Sequence, residues 1–195
     1  VFRGRPVAAA ASLREADLLL GRFDYGLRRG VLVWRAMAEA LAGDAAAAEG
    51  SLVAAQRATR SRARLYDADL ARARGWAGVA AGERTRALGA IREAADIAVA
   101  AERWSYEVLA LHDLVRFGTA AAAGEVVARL DELAGIVDGP IAGACADHAR
   151  ARAAHDGDGL DRAAATFADL GLDLFAAEAQ VAAVDAHQRV GHRAR

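Results

Sequence analysis

The chain has 195 residues, a formal net charge of −1, 55 alanines, two prolines and no lysine. Alanine loses no side-chain entropy in a helix and buries no polar group, so this composition predicts an all-α protein. The missing lysine excludes a Walker A loop and Schiff-base chemistry in this segment, the single Cys145 excludes a disulfide framework and a cysteine-built zinc site, and a net charge near zero gives no global pull toward nucleic acid or membrane.

The predicted helices run, in chain order, over residues 6–20, 24–42, 44–59, 62–81, 83–102, 104–117, 120–136, 140–155, 159–170 and 172–190. Glycines set the frame. Gly4, Gly43, Gly82 and Gly118 are spaced by 39, 39 and 36 residues, the range of helical-hairpin repeats. Five residues after each stand Ala9, Ala48, Ala87 and Ala123; nine after, Leu13, Leu52, Ile91 and Val127; twelve after, Ala16, Ala55, Ala94 and Leu130. From Asp158, in the turn HDGDGLD at 155–161, the same offsets reach Ala163, Phe167 and Leu170, and Gly191 is a last landmark.

The physics is that glycine ends a helix by taking the left-handed conformation without a Cβ clash. A polar residue then caps the next helix: Asp44, Thr119 and Asp158. Spacings of four and three keep the small, large, small triplet on one face, where it packs on the preceding helix. The stretch GERTRALGAIREA at 82–94 is accordingly a turn plus a helix, because Ala90 and Ile91 follow Gly89 where a phosphate loop needs lysine and a hydroxyl residue. Gly139-Pro140 opens a helix with proline in the first turn, where its missing N–H is harmless.

Short connections make neighbouring helices antiparallel, and stacking buries the face that no hairpin covers alone. The expected architecture is one helical-repeat domain over 1–195, with hairpins stacked as an α-solenoid. Residues 1–119 carry about +4 and residues 120–188 about −8, so one end is mildly basic and the other acidic. No apolar run has the length of a membrane span, and no signal-peptide pattern opens the chain, which points to the cytoplasm. The chain opens on Val1, so a piece of a larger multidomain protein is expected.

The offsets resemble the tetratricopeptide repeat, whose second helix carries the same triplet after a glycine. The first-helix Trp-Leu-Gly-Tyr signature is not maintained, and no proline closes each repeat. A narrower resemblance lies in EVLALHDLVRFG (107–118), ARLDELAGIVDGPIAGACADHARARAAHDGDGLDRAAATFADLG (128–171) and AAEAQVAAVDAHQRVG (176–191). These look like the helical region of large LuxR-family transcriptional regulators from actinobacteria, similar to maltose-type activators, over roughly residues 62–195. The resemblance implies a non-catalytic sensory or scaffolding superhelix between a nucleotide-binding module and a helix-turn-helix. Motifs of neither module occur here, so DNA contact would belong to another domain. The alternative is a general tetratricopeptide-like interaction scaffold unrelated to transcription.

Six residues before the glycine landmarks stand Met37, Trp76 and His112; Arg72 and Asp147 fall in the row four residues earlier. In a superhelix the first helix of each pair lines the concave face, so these five would form a wall for a protein partner or a small effector. Against this, Met37 and Trp76 are of the types that normally fill a core. A homo-oligomer is a further option, through apolar stripes at the ends. No cofactor is expected.

Other motifs carry less. RATRSRAR at 57–64 offers Arg57, Arg60, Arg62 and Arg64, but Asp67 and Asp69 dilute it and no aromatics interleave, so a solvated face is expected. HDGDGLDR fails as a calcium loop: from Asp156, Leu160 takes the fifth position and Phe167 the twelfth, where a glutamate belongs. His148 and His155 lie seven apart on one predicted helix, and His187 and His192 near the end, but no metal partners are signalled by spacing. Cys145 is expected as a small buried hydrophobe. No catalytic constellation can be argued.

Overall fold

The computed structural model describes residues 3–21, 26–58 and 64–193. These residues form ten α-helices and no strand: α1 (Pro6–Leu20), α2 (Arg28–Leu41), α3 (Ala45–Arg57), α4 (Asp67–Ala80), α5 (Arg84–Ala100), α6 (Trp104–Phe117), α7 (Ala120–Ala134), α8 (Pro140–Ala154), α9 (Gly157–Asp169) and α10 (Asp173–Arg193). The expected starts of the second and fourth helices, with Arg60 and Arg62, lie outside the described residues. Among the described residues no helix is long and apolar enough to cross a membrane.

The turns follow backbone chemistry. Gly43 and Gly82 are left-handed, with φ of 81° and 77°. Each is followed by the same closing bond: Asp44 N–H donates to Glu39 O at 3.0 Å, and Glu83 N–H to Gly78 O at 2.8 Å. Both are Schellman turns, which satisfy carbonyls left over at a helix end. The pattern returns at His155 and Gly171, where Asp156 N–H reaches Ala151 O at 2.9 Å and Leu172 N–H reaches Phe167 O at 2.8 Å.

Two expectations are corrected. Gly118 is extended, φ −83° and ψ −172°, not left-handed. Its requirement is space, since a Cβ there would lie 2.2 Å from Leu114 O. The cap of α9 is Asp156, whose carboxylate accepts from Gly159 N–H at 3.0 Å; Asp158 sits inside the first turn. Asp44 and Thr119 cap α3 and α7 as expected, accepting from Ala47 N–H at 2.9 Å and Ala122 N–H at 3.3 Å.

The helices gather into two compact units, Arg5–Glu102 and Arg103–Arg195. In the first, α2 packs on α1, α3 and α4, and α4 on α3 and α5. The triplets Ala48, Leu52, Ala55 and Ala87, Ile91, Ala94 are all buried, which is what the repeat requires. Helices α4 and α5 meet closely because residue 75 has no side chain: a Cβ on Gly75 would stand 2.4 Å from Ile91 Cγ1. Ala9, Leu13 and Ala16 of α1 are only half-buried.

In the second unit, α6 packs on α7 and α8, α7 on α8, α8 on α9, and α9 on α10. Its core holds Val108, Leu114, Leu130, Leu133, Leu160, Phe167 and Phe175. Val126, not the expected Val127, is the buried valine of α7.

Candidate functional site

Helices α8 and α9 enclose a cleft of about 510 Å³ in the second unit. From α8 it takes Asp147, Arg150, Ala151 and Ala154, a single stripe at helical spacing. From α9 and its cap it takes Asp156, Gly159, Arg162, Ala163 and Thr166. The floor is alanine, and the rim carries both signs of charge. Arg150 bridges Asp147 and Asp131, and Arg162 stands 3.6 Å from Asp156. Burial alone would lower the pKa of Arg150; hydrogen bonds and charge from Asp131 and Asp147 outweigh it and hold it above the ordinary value. The volume lies in the range of small-ligand sites.

The second unit also holds a largely buried polar cluster. His112 of α6 and His148 of α8 are buried and hydrogen-bonded, Nε2 to Nδ1, at 2.9 Å. Phe167 of α9 and Phe175 of α10 pack on them, with His112–Phe175 ring centroids 4.7 Å apart and His148–Phe167 centroids 5.6 Å apart. His148 Nε2 has no hydrogen-bond partner among the described residues. Burial pushes the His148 pKa down to about 3, and the charges of Arg152 and Arg116 add to the effect, so the ring is neutral.

Arg116 closes the cluster. Its buried guanidinium forks onto Glu178 of α10 at 2.5 and 2.8 Å and onto Asp113 at 2.7 Å. It also lies over the Phe175 ring, 4.7 Å from the centroid.

The expected site residues divide as follows. Met37, Arg72 and Trp76 are interior residues of the first unit. Arg72 sits 3.5 Å from Asp69 and over the Trp76 ring, so the structure brings those two together. His112 is interior to the second unit, and Asp147 lies on the cleft rim with 60% of its side chain exposed. Of the five, Asp147 alone presents its side chain to solvent. Arg57 and Arg64 of the basic stretch are exposed, as expected; Arg64 pairs with Asp67 at 3.2 Å. Cys145 is buried.

Sequence reasoning did not find the His112–His148 pair. A signal existed, because the two stand 36 residues apart, the spacing of Gly82 to Gly118. It also missed the convergence of Asp158, Asp161 and His187, whose donor atoms lie within 4.8 Å of one another. The short connection makes α10 fold back on α9, but no local pattern gives the register that sets His187 beside Asp161.

No family model matches the chain, and no curated protein or solved structure matches it either.

Proposed function

We propose that this chain is a non-catalytic helical-repeat module that holds a protein partner or a small effector. In this reading its hairpins stack into a tetratricopeptide-like superhelix, and it serves as the sensory or scaffolding region of a LuxR-type transcriptional regulator in the cytoplasm. The observation that carries the reading is the recurrence of one hairpin design at a 39-residue step. At Gly43 and Gly82 the left-handed glycine, the six-residue closing bond and the buried small, large, small triplet occur together. Such units cannot bury their apolar faces alone, and stacked arrays of them present long surfaces to partners.

The cleft between α8 and α9 supplies the place for an effector. Its alanine floor tolerates an apolar body, while Asp147, Arg150 and Arg162 at the rim suit a ligand carrying both charges. The stretches 107–118, 128–171 and 176–191, which resemble LuxR-type regulators, include all of its lining residues.

The test is the reading frame on either side of Val1 and Arg195. A nucleotide-binding module upstream and a helix-turn-helix downstream are expected. A frame with neither overturns the regulator reading and leaves a tetratricopeptide-like interaction scaffold.

A further inference from the structure

The stretch HDGDGLDR lacks the oxygen ligands of a calcium loop, but the fold places a different donor beside it. Asp158 and Asp161 stand three residues apart, one above the other on α9. Helix α10 packs along α9 and carries His187 to the same spot, where its Nε2 lies 2.9 Å from Asp161 Oδ2. One donor atom from each of the three lies within 4.8 Å of the other two.

The imidazole is seated against bare backbone. A Cβ on Gly157 would lie 2.5 Å from His187 Cε1 and 2.8 Å from Nε2, so the ring occupies space that any other residue would fill. This contact is independent of the carboxylates, and it holds a nitrogen donor facing them.

We propose that Asp158, Asp161 and His187 bind a divalent transition-metal ion of the zinc, nickel and cobalt class, with water completing the shell. The donor set decides the class. One imidazole with two carboxylates suits zinc and its neighbours, whereas calcium and magnesium take oxygen ligands. Bonds of about 2.0–2.2 Å place the donors of one ion roughly 3–4 Å apart. The triad reaches that spacing by small rotations, since all three side chains are exposed. Two carboxylates neutralise the ion's charge, and Asp156 adds negative potential at the same end of α9. Three protein ligands from two helices would tie α10 to α9 and leave coordination positions open to solvent.

The experiment uses the purified, untagged chain and Zn²⁺ alone in a non-chelating buffer, followed by calorimetry and by the unfolding midpoint. One equivalent is expected to bind saturably and to raise the midpoint. His187→Ala and Asp161→Asn should each weaken binding at least tenfold, and Gly157→Ala should weaken it by taking the ring's seat. His155→Ala, at the neighbouring turn, should leave it unchanged. Circular dichroism verifies that each variant keeps its helices, and Asp158→Asn supplies a second removal if one does not. Absence of saturable binding overturns the proposal; the His187–Asp161 contact is then an ion pair and the aspartates serve only the helix terminus. Undiminished binding in His187→Ala and Asp161→Asn overturns it as well, by placing the ion elsewhere.

Discussion

His112 Nε2 and His148 Nδ1 meet at 2.9 Å inside the second unit, one ring from α6 and the other from α8. Burial, with the charges of Arg152 and Arg116, sets the charge of His148 there. A single N–H fills the space between the two nitrogens, and a further proton on His148 would face the cations Arg116 and Arg152. Asp113 and Glu178, the nearby carboxylates, are both engaged by Arg116. His148 is therefore held neutral, and folding refuses it a proton that the unfolded chain accepts.

Acid should undo it. The His148 pKa is about 3 in the fold, against 6.5 for the free side chain. Between these values the unfolded chain binds a proton that the folded chain refuses. Stability from this group is therefore complete above pH 6.5 and lost as pH falls toward 3, at up to about 1.4 kcal/mol per pH unit. Urea unfolding from pH 7.5 to 4.5 checks this. His148→Leu should flatten the dependence, whatever it costs at pH 7.5. His187 runs the other way: its hydrogen bond to Asp161 raises its pKa, so its contribution is present at low pH and is lost as pH rises through the raised value. An unchanged slope in His148→Leu would show that carboxylates carry the acid sensitivity.

Arg116→Met should be among the most damaging single changes. It removes the ion pair to Asp113, 1% exposed, and both bonds to Glu178. Breaking one side of a buried ion pair costs about 3–5 kcal/mol. Arg116→Lys should recover only part of this, because an ammonium lacks the planar fork that holds both oxygens of Glu178 while reaching Asp113. Denaturant midpoints of the three proteins measure it; a lysine variant equal to wild type would mean that charge, not planar geometry, is what matters there.

The order and type of all ten helices were legible because alanine-rich runs punctuated by glycine leave little else for the chain to form. The glycine ruler worked where a left-handed residue was needed and glycine supplied it, as at Gly43 and Gly82. It could not see Glu102 and His155, which take φ of 52° without glycine. It misjudged Gly118, which is small for the sake of Leu114 and Ala122 rather than for its dihedral. The candidate wall was less legible. Offsets from a turn identify a row on a helix, but not whether that row faces solvent or a neighbour. Met37, Trp76 and His112 share such a row and are all buried. Arg72 and Asp147 share the other row, yet Arg72 is buried beside Asp69 while Asp147 is exposed beside Arg150.

Gly75 and Gly89 both lie within helices, yet alanine should have opposite effects at the two. At Gly89 nothing stands within 4 Å of a new Cβ, so the better helix former should stabilise by up to about 1 kcal/mol. At Gly75 the methyl would press on Ile91 Cγ1, and overpacking of about 1–3 kcal/mol outweighs that gain. Ile91→Ala alone should cost about 2–5 kcal/mol. The double variant should be more stable than the sum of the two losses, because the new methyl occupies vacated space. Thermal midpoints of the four proteins close the cycle; strict additivity would mean that α4 and α5 do not touch at this pair.

Asp156 and Asp158 lie two residues apart at the start of α9, and the structure assigns them different work. Asp156 accepts from Gly159 N–H and satisfies a donor that the helix cannot. Asp158 has helical backbone in the first turn, where its charge meets the helix dipole and acts on the neighbouring His187. Asp156→Ala should therefore cost about 0.5–2 kcal/mol, and Asp158→Ala less than about 1 kcal/mol. Asp156→Ser should restore most of the loss, since a hydroxyl oxygen also caps. The comparison belongs in buffer with a chelator, so that no bound ion adds to the cost of removing Asp158. If Asp158→Ala proved the more costly under those conditions, the cap would belong to Asp158 and α9 would begin two residues later in solution.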